Sequence, residues 1–387
     1  MTLRVLSIFG TRPEAVKMAP VVQALAHTPD IHSLVCVTAQ HRQMLDQVLS
    51  LFNILPEIDL NLMQPDQSLA NLTAEIFTHL DPVLARVKPD WILVQGDTTT
   101  VMASSLAAYY RHINVGHVEA GLRTSDKWQP FPEEINRRIA SVVTDLHFAP
   151  TEWARQNLLR ENIPTEQIVV TGNPVIDALH AVAKMPPTPA VLELFVHMGI
   201  SYQPSSNMLH TPSVQPRLIL VTAHRRENFG QPLENICLAL KELAHAYRDG
   251  VRIVYPVHLN PNVQAPVHRL LGDIPNIILL PPLDYLPMVH VMKHASLILT
   301  DSGGLQEEAP ALGIPVLVMR QVTERPEGVT AGTVRLVGTD PHQIVCQARE
   351  LLDDPLAYDA MAHAINPYGD GQAAGRIVSA ILQASSR

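Results

Sequence analysis

Three carboxylates fall within 37 residues where short apolar runs or a proline-rich turn end. Asp97 sits in Gln95-Gly96-Asp97-Thr98-Thr99-Thr100 and Glu119 in His117-Val118-Glu119-Ala120-Gly121-Leu122-Arg123, while Glu133 follows the prolines of Pro130-Phe131-Pro132. Each has a plain alternative: Asp97 suits a helix N-cap, and Glu133 and Glu134 complement a helix dipole. Together they point toward acid–base chemistry at the carboxyl ends of parallel strands, where open α/β sheets place ligands. His224-Arg225-Arg226 follows a further apolar run, and a histidine beside arginines there suits a phosphate or a leaving oxygen. His258 is a weaker case, equally served as a turn histidine satisfied by backbone.

Two turns add anion-binding character. Phe9-Gly10-Thr11-Arg12-Pro13-Glu14-Ala15-Val16-Lys17 and Asp301-Ser302-Gly303-Gly304 each follow an apolar run and open a helix-like stretch. A diphosphate at the second would meet unsatisfied N–H groups and the positive end of the helix dipole, while Arg12 and Lys17 supply charge from the first. Glu308 is placed to accept from ribose hydroxyls, and Arg325 adds an anion contact.

These residues need strand ends to carry them. Apolar runs at Leu3–Phe9, Ser33–Thr38, Trp91–Gln95, Ile113–Val118 and Leu146–Pro150 alternate with longer amphipathic segments. The pattern resumes at Arg217–Val221, Arg252–Val257, Ile277–Leu280, Leu297–Thr300, Pro315–Met319 and Thr333–Val337. Strands alternating with helices imply parallel sheets covered on both faces. The Pro- and Ser-rich stretch Ala183–Pro216 reads as a partly mobile surface excursion near a domain boundary, and Gln372–Ala384 as a terminal helix.

At 387 residues the chain exceeds one ordinary core, so two domains are expected. A formal charge of −9 argues against a nucleic-acid surface. The dispersed Cys36, Cys237 and Cys346 argue against a disulfide framework or a zinc site. The first residues read as a strand rather than a signal peptide, and no run is long enough to span a membrane, so a cytoplasmic protein is expected. Asn71-Leu72-Thr73 is a chance glycosylation sequon on that reading. No G-x-G-x-x-G follows a strand, and Walker A, HExxH and G-x-S-x-G patterns are missing, which counts against nicotinamide redox, ATP hydrolysis, zinc hydrolysis and serine acyl transfer.

Taken in order, Phe9–Pro20, Gln40–Gln47, Gln95–Thr100, His117–Thr124, Pro130–Arg138, Thr171–Asp177, Thr222–Gly230, Leu299–Pro310 and Val318–Glu327 resemble the bacterial non-hydrolysing UDP-N-acetylglucosamine 2-epimerase family. The resemblance implies an α/β GT-B architecture of two Rossmann-like domains flanking a deep cleft. Their expected ranges are 1–171 with 366–387, the returning terminal helix, and 172–365. It implies reversible conversion of UDP-GlcNAc to UDP-ManNAc, feeding cell-surface polysaccharide synthesis, in a homodimer without metal or redox cofactor. By motif, Asp97, Glu119, Glu133 and His224 fall on catalytic positions, and Arg12, Lys17, Ser302, Gly303, Gly304, Glu308 and Arg325 on substrate and UDP positions. Gln43, Gln47, Glu134 and Arg225 resemble the lining of a second, activating UDP-GlcNAc site. Leu283 and Met288 depart from relatives that carry Gln and Phe near the uracil, so backbone recognition of the base is expected there. The alternatives are a hydrolysing 2-epimerase, a GT-B glycosyltransferase, a silent sugar-nucleotide sensor and, remotely, a nicotinamide-dependent epimerase.

Overall fold

The computed structural model describes residues 2–38, 42–62, 64, 67–202 and 216–386. Gln40 and His41 of the Gln40–Gln47 segment, the side chain of Gln43, and residues 203–215 of the Pro- and Ser-rich stretch lie outside the described residues. The chain divides into two compact units, residues 1–180 with 368–387 and residues 181–367. The first boundary lies nine residues beyond the expected 171 because the helix Pro174–Ala183 begins in unit 1. There Asp177 accepts from the N–H groups of Ala373 (3.2 Å) and Ala374 (3.0 Å) and so caps the terminal helix Ala373–Ser385. At the other end of that helix Ser385 accepts from Trp91 Nε1 (2.9 Å).

Unit 1 holds, among the described residues, a parallel sheet of β1 (Leu3–Phe9), β2 (Ile31–Val37), β3 (Ile58–Asp59), β4 (Trp91–Gln95), β5 (Asn114–Val118), β6 (Leu146–Ala149) and β7 (Ile168–Val170). Their spatial order is β3-β2-β1-β4-β5-β6-β7. β3 and β7, two and three residues long, are too short to give a sequence signal. Central strands are apolar on both faces: every residue of β4 is buried, as a sheet covered by helices on both sides requires. The strand order reverses direction between β1 and β4, and at such a switch point the following loops part to leave a crevice. Gly10 ends β1 there. A Cβ on it would stand 2.0 Å from Thr38 Oγ1, so glycine is required by the packing of the strand ends.

Unit 2 repeats the plan with β8 (Arg217–Thr222), β9 (Val251–Pro256), β10 (Ile277–Leu280), β11 (Ala295–Thr300), β12 (Val316–Val318) and β13 (Val334–Leu336). The order β10-β9-β8-β11-β12-β13 puts its switch point between β8 and β11. Ile219, Val221, Ile253, Tyr255, Leu297 and Leu299 meet helix residues such as Ile236, Leu240 and Ile344 in one core. The described part of the expected excursion is structured. Thr188 caps a helix, Pro189–His197, whose Val191 and Phe195 are buried, and the Phe195 ring packs edge-on against His294 (4.7 Å between centroids). The six prolines and four serines of Ala183–Pro216 outweighed this apolar spacing in the sequence pattern. No described helix is long and apolar enough to cross a membrane.

Candidate functional site

In unit 1 the loop after β1 is closed by its own acid. Thr11 caps the helix Arg12–Ala26, and Glu14 reaches back so that Oε2 accepts from the N–H groups of Gly10 (2.9 Å) and Thr11 (2.7 Å). Its Oε1 accepts from Thr98 Oγ1 (2.6 Å), which ties the loop after β1 to the loop after β4. Burial holds the Glu14 carboxyl above its ordinary range, with these hydrogen bonds opposing. The N–H groups of Gly10 and Thr11 are therefore occupied by a protein carboxylate, and charge for an external anion at this turn would come from side chains. Arg12 stands half-buried at the first helical position.

Lys17, one and a half turns on, meets Glu119 instead of solvent. Its Nζ lies 2.5 and 2.7 Å from the two carboxylate oxygens, which also accept from Gln95 Nε2 (2.5 Å) and Asn173 Nδ2 (2.8 Å). Glu119 follows β5 with φ of +65°, a left-handed conformation that costs a non-glycine residue about 1 kcal/mol or more. The strain turns its side chain back onto β4, and the three donors hold it there. Asp97 is not the cap of the helix Thr99–Tyr110; Thr98 is. The Asp97 carboxylate accepts from Arg137 Nη2 (2.5 Å), and its carbonyl accepts from Asn136 Nδ2 (3.0 Å). Glu133 opens the helix Glu133–Val142 and lines a cavity of about 440 Å³ with Thr11, Thr98, Thr99 and Asn136. Beneath these groups His117 Nε2–H donates to the Gly96 carbonyl (2.7 Å), and burial pushes the imidazole down to about 4.

The residues matched to a second site are dispersed in exposure. Gln47 is exposed on the helix Arg42–Leu51 and Arg225 is half-buried. Glu134 is wholly buried, accepting from Arg138 Nε (2.9 Å) and Nη2 (2.8 Å) and from Thr124 N–H (3.1 Å), so it staples the preceding loop to its helix.

In unit 2 the loops after β8 and β11 converge on Asp301. Its Oδ2 accepts from His224 N–H (2.8 Å), Arg225 N–H (2.8 Å) and Asn228 Nδ2 (3.0 Å). The His224 ring stacks on His258 (5.4 Å between centroids), and burial lowers its pKa, with Asp301 acting the other way. His258 Nδ1 accepts from Asn260 N–H (3.1 Å), the turn role its sequence position suggested. Ser302 is the N-cap of the helix Gly303–Ala311 but makes no side-chain cap, so the helix start keeps the character expected for an anion site. Gly303 lets the Arg325 guanidinium sit close: a Cβ there would lie 3.1 Å from it, so the side chain would have to give by a few tenths of an ångström. Arg325 is held by Glu307 (2.6 Å) and Glu324 (3.1 Å), and Glu308 Oε1 accepts from Tyr285 O–H (2.8 Å).

Thus Lys17, Asp97, Glu119 and Glu133 gather around the switch point of unit 1, and His224, Ser302, Gly303, Glu308 and Arg325 around that of unit 2. Sequence reasoning passed over Glu14, Gln95, Arg137, Asn173, Tyr285 and Asp301. All but Tyr285 lie inside the motif segments named above, yet nothing in one dimension shows which partner each one meets. Among the described residues no group of three His, Cys, Asp or Glu side chains is arranged to hold a metal ion.

Two doubly wound parallel α/β units, each with charged side chains collected at its switch point, define a two-domain Rossmann-like enzyme of the GT-B class. A family profile described as UDP-N-acetylglucosamine 2-epimerase matches residues 23–382. The chain belongs to the UDP-N-acetylglucosamine 2-epimerase family, whose members are isomerases. It is 57% identical to the UDP-N-acetylglucosamine 2-epimerase of Salmonella typhimurium over 98% of each chain. Against the Escherichia coli K12 enzyme of the same name the identity is 56%, again over 98% of each. A crystal structure of UDP-GlcNAc 2-epimerase from Neisseria meningitidis bound to UDP-GlcNAc superposes with a TM-score of 0.86 at 49% identity, covering 98% of this chain and all of that one.

Proposed function

We propose that the protein interconverts UDP-GlcNAc and UDP-ManNAc by eliminating and re-adding UDP. The observation that carries the reading is the Glu119 cluster: a strained carboxylate at a strand end, held by Lys17, Gln95 and Asn173, near Asp97 on Arg137 and Glu133 on a cavity. The C2 proton has no adjacent carbonyl to acidify it, so simple deprotonation is slow. Breaking the C1–O bond sends its electron pair to UDP and builds cationic character at C1. A carboxylate then takes the C2 proton, and the C1–C2 double bond of 2-acetamidoglucal forms. Protonating C2 on the opposite face and re-adding UDP at C1 inverts C2 with no net oxidation or reduction. Asp97, Glu119 and Glu133 are assigned the acid–base work. Ser302, Gly303, Gly304, Glu308 and Arg325 hold UDP, and Arg12, Lys17 and His224 balance developing negative charge. The UDP-GlcNAc bound in the Neisseria relative supports this choice of ligand.

Incubation with UDP-GlcNAc alone in deuterated water tests the reading. Deuterium at C2 of recovered UDP-sugar is expected; retained protium at C2 refutes it. Accumulation of free ManNAc would favour the hydrolysing alternative. The same reading gives a second, activating UDP-GlcNAc to Gln43, Gln47, Glu134 and Arg225, of which Gln47 is exposed and Arg225 half-buried. Loss of activation in Gln43→Ala at unchanged UDP affinity supports that assignment, and unchanged activation removes it.

A further inference from the structure

Asp301 is wholly buried, and the mechanism above does not use it. One oxygen is accounted for, since Oδ2 carries the three donors from the loop after β8. The other is not: Oδ1 is buried and has no hydrogen-bond partner. It faces His224 Nδ1 at 3.6 Å, just beyond hydrogen-bond range. An ionised carboxylate oxygen left dry and unpartnered costs several kcal/mol unless a donor reaches it, and a small rotation of the His224 ring supplies that donor.

We infer that Asp301 is the positioning residue of His224, holding the imidazole with its proton on Nδ1 and leaving Nε2 as the nitrogen that meets ligand. A carboxylate behind a histidine fixes both tautomer and ring direction in this way, without itself taking the proton. The charged and titratable groups facing His224 agree with the arrangement. Asp301 comes from the end of β11, Arg225 is its chain neighbour, and His258 stacks on it from the loop after β9. Of these only Asp301 is an acceptor that carries negative charge. The surrounding backbone is fixed as well: Tyr255 O–H donates to the Ala223 carbonyl (2.6 Å), and Asp301 N–H to the Thr222 carbonyl (3.0 Å). The orienting carboxylate and the histidine it orients thus arrive on the two strands that flank the switch point. The role in turnover rests on the function proposed for His224; the tautomer does not.

The test is 15N NMR of histidine-labelled protein with UDP bound, with His224 assigned by its loss in His224→Gln. Wild type is expected to show Nδ1 protonated against Asp301 and Nε2 protonated against the UDP anion. Asp301→Asn retains an acceptor for the backbone N–H groups but turns an amide donor toward the ring. The Nδ1 proton should be lost, leaving a neutral ring protonated on Nε2 alone, and C2 exchange fall about 10- to 100-fold, with UDP affinity within about threefold. A bare Nδ1 in wild type, or an Nδ1 proton retained in Asp301→Asn, overturns the inference. Loss of the Nδ1 proton while C2 exchange persists upholds the positioning role and refutes the part given to His224 in turnover.

Discussion

Replacing Lys17 with methionine should strand a buried charge. The Glu119 side chain is 5% exposed and that of Lys17 16%, so the carboxylate would lose its paired ammonium while keeping the neutral donors Gln95 and Asn173. Removing one partner of a buried ion pair costs about 3–5 kcal/mol, and partial solvent access at Lys17 sets the expectation at the lower end, about 3 kcal/mol. Native-state hydrogen exchange of the β4 and β5 amides reads this directly, because those strands flank the pair. About 3 kcal/mol corresponds to roughly 100-fold faster exchange. Glu119→Gln alone takes the paired carboxylate from the ammonium and should cost a comparable amount. The double variant Lys17→Met/Glu119→Gln carries neither charge and should recover about 1–3 kcal/mol relative to the sum of the singles. All three are expected to lose most C2 exchange. Additive single effects, within about 0.5 kcal/mol, would refute a shared buried pair and with it the account of how Glu119 is held.

Tyr285→Phe removes the donor to Glu308 Oε1, a hydrogen bond to a charged group worth about 1.5 kcal/mol or more, so UDP should bind about tenfold more weakly by calorimetry if Glu308 contacts UDP. Gly10→Ala forces a methyl against Thr38 Oγ1 and should cost about 1–3 kcal/mol in urea unfolding, a loss reduced in Gly10→Ala/Thr38→Ala and unrelieved there if the clash is not the cause. Burial pushes His117 down to about 4 and His147 to about 3 from 6.5. A folded pKa below the unfolded one means that the unfolded chain binds the extra proton first. Their contribution to stability is therefore whole above pH 6.5 and lost as pH falls toward 4 and 3, by about 3–5 kcal/mol each. Unfolding titrations between pH 7.5 and 5 should show the decline, and a flat profile in that window would contradict it.

The alternation of apolar runs and amphipathic segments was enough to place eleven of the strands described, because strands buried on both faces must be apolar throughout. Glycine and carboxylate positions at the ends of those runs showed where chemistry would sit, and their order along the chain carried the family. Short edge strands were not legible: Ile58–Asp59 and Ile168–Val170 are defined by pairing with a neighbour, and pairing is not a local property. The helix Pro189–His197 was hidden for a related reason, since proline at its first turn reads as a breaker until Thr188 is seen capping it.

Residue type and spacing alone determined that this chain carries two parallel α/β units with acid–base and anion-binding groups at strand ends. Only the tertiary structure decided what each charge does. Lys17 was read as charge for a ligand, and its ammonium also holds Glu119, 102 residues away in sequence. The turn at Gly10 was read as a source of side-chain charge, and its own N–H groups are taken by Glu14. Asp301, read as part of a loop, lies behind His224 on the neighbouring strand. The physical reason is common to all three. Electrostatic and hydrogen-bond partners are chosen by proximity in space, and in a doubly wound sheet the strands that meet at the switch point are distant in the chain.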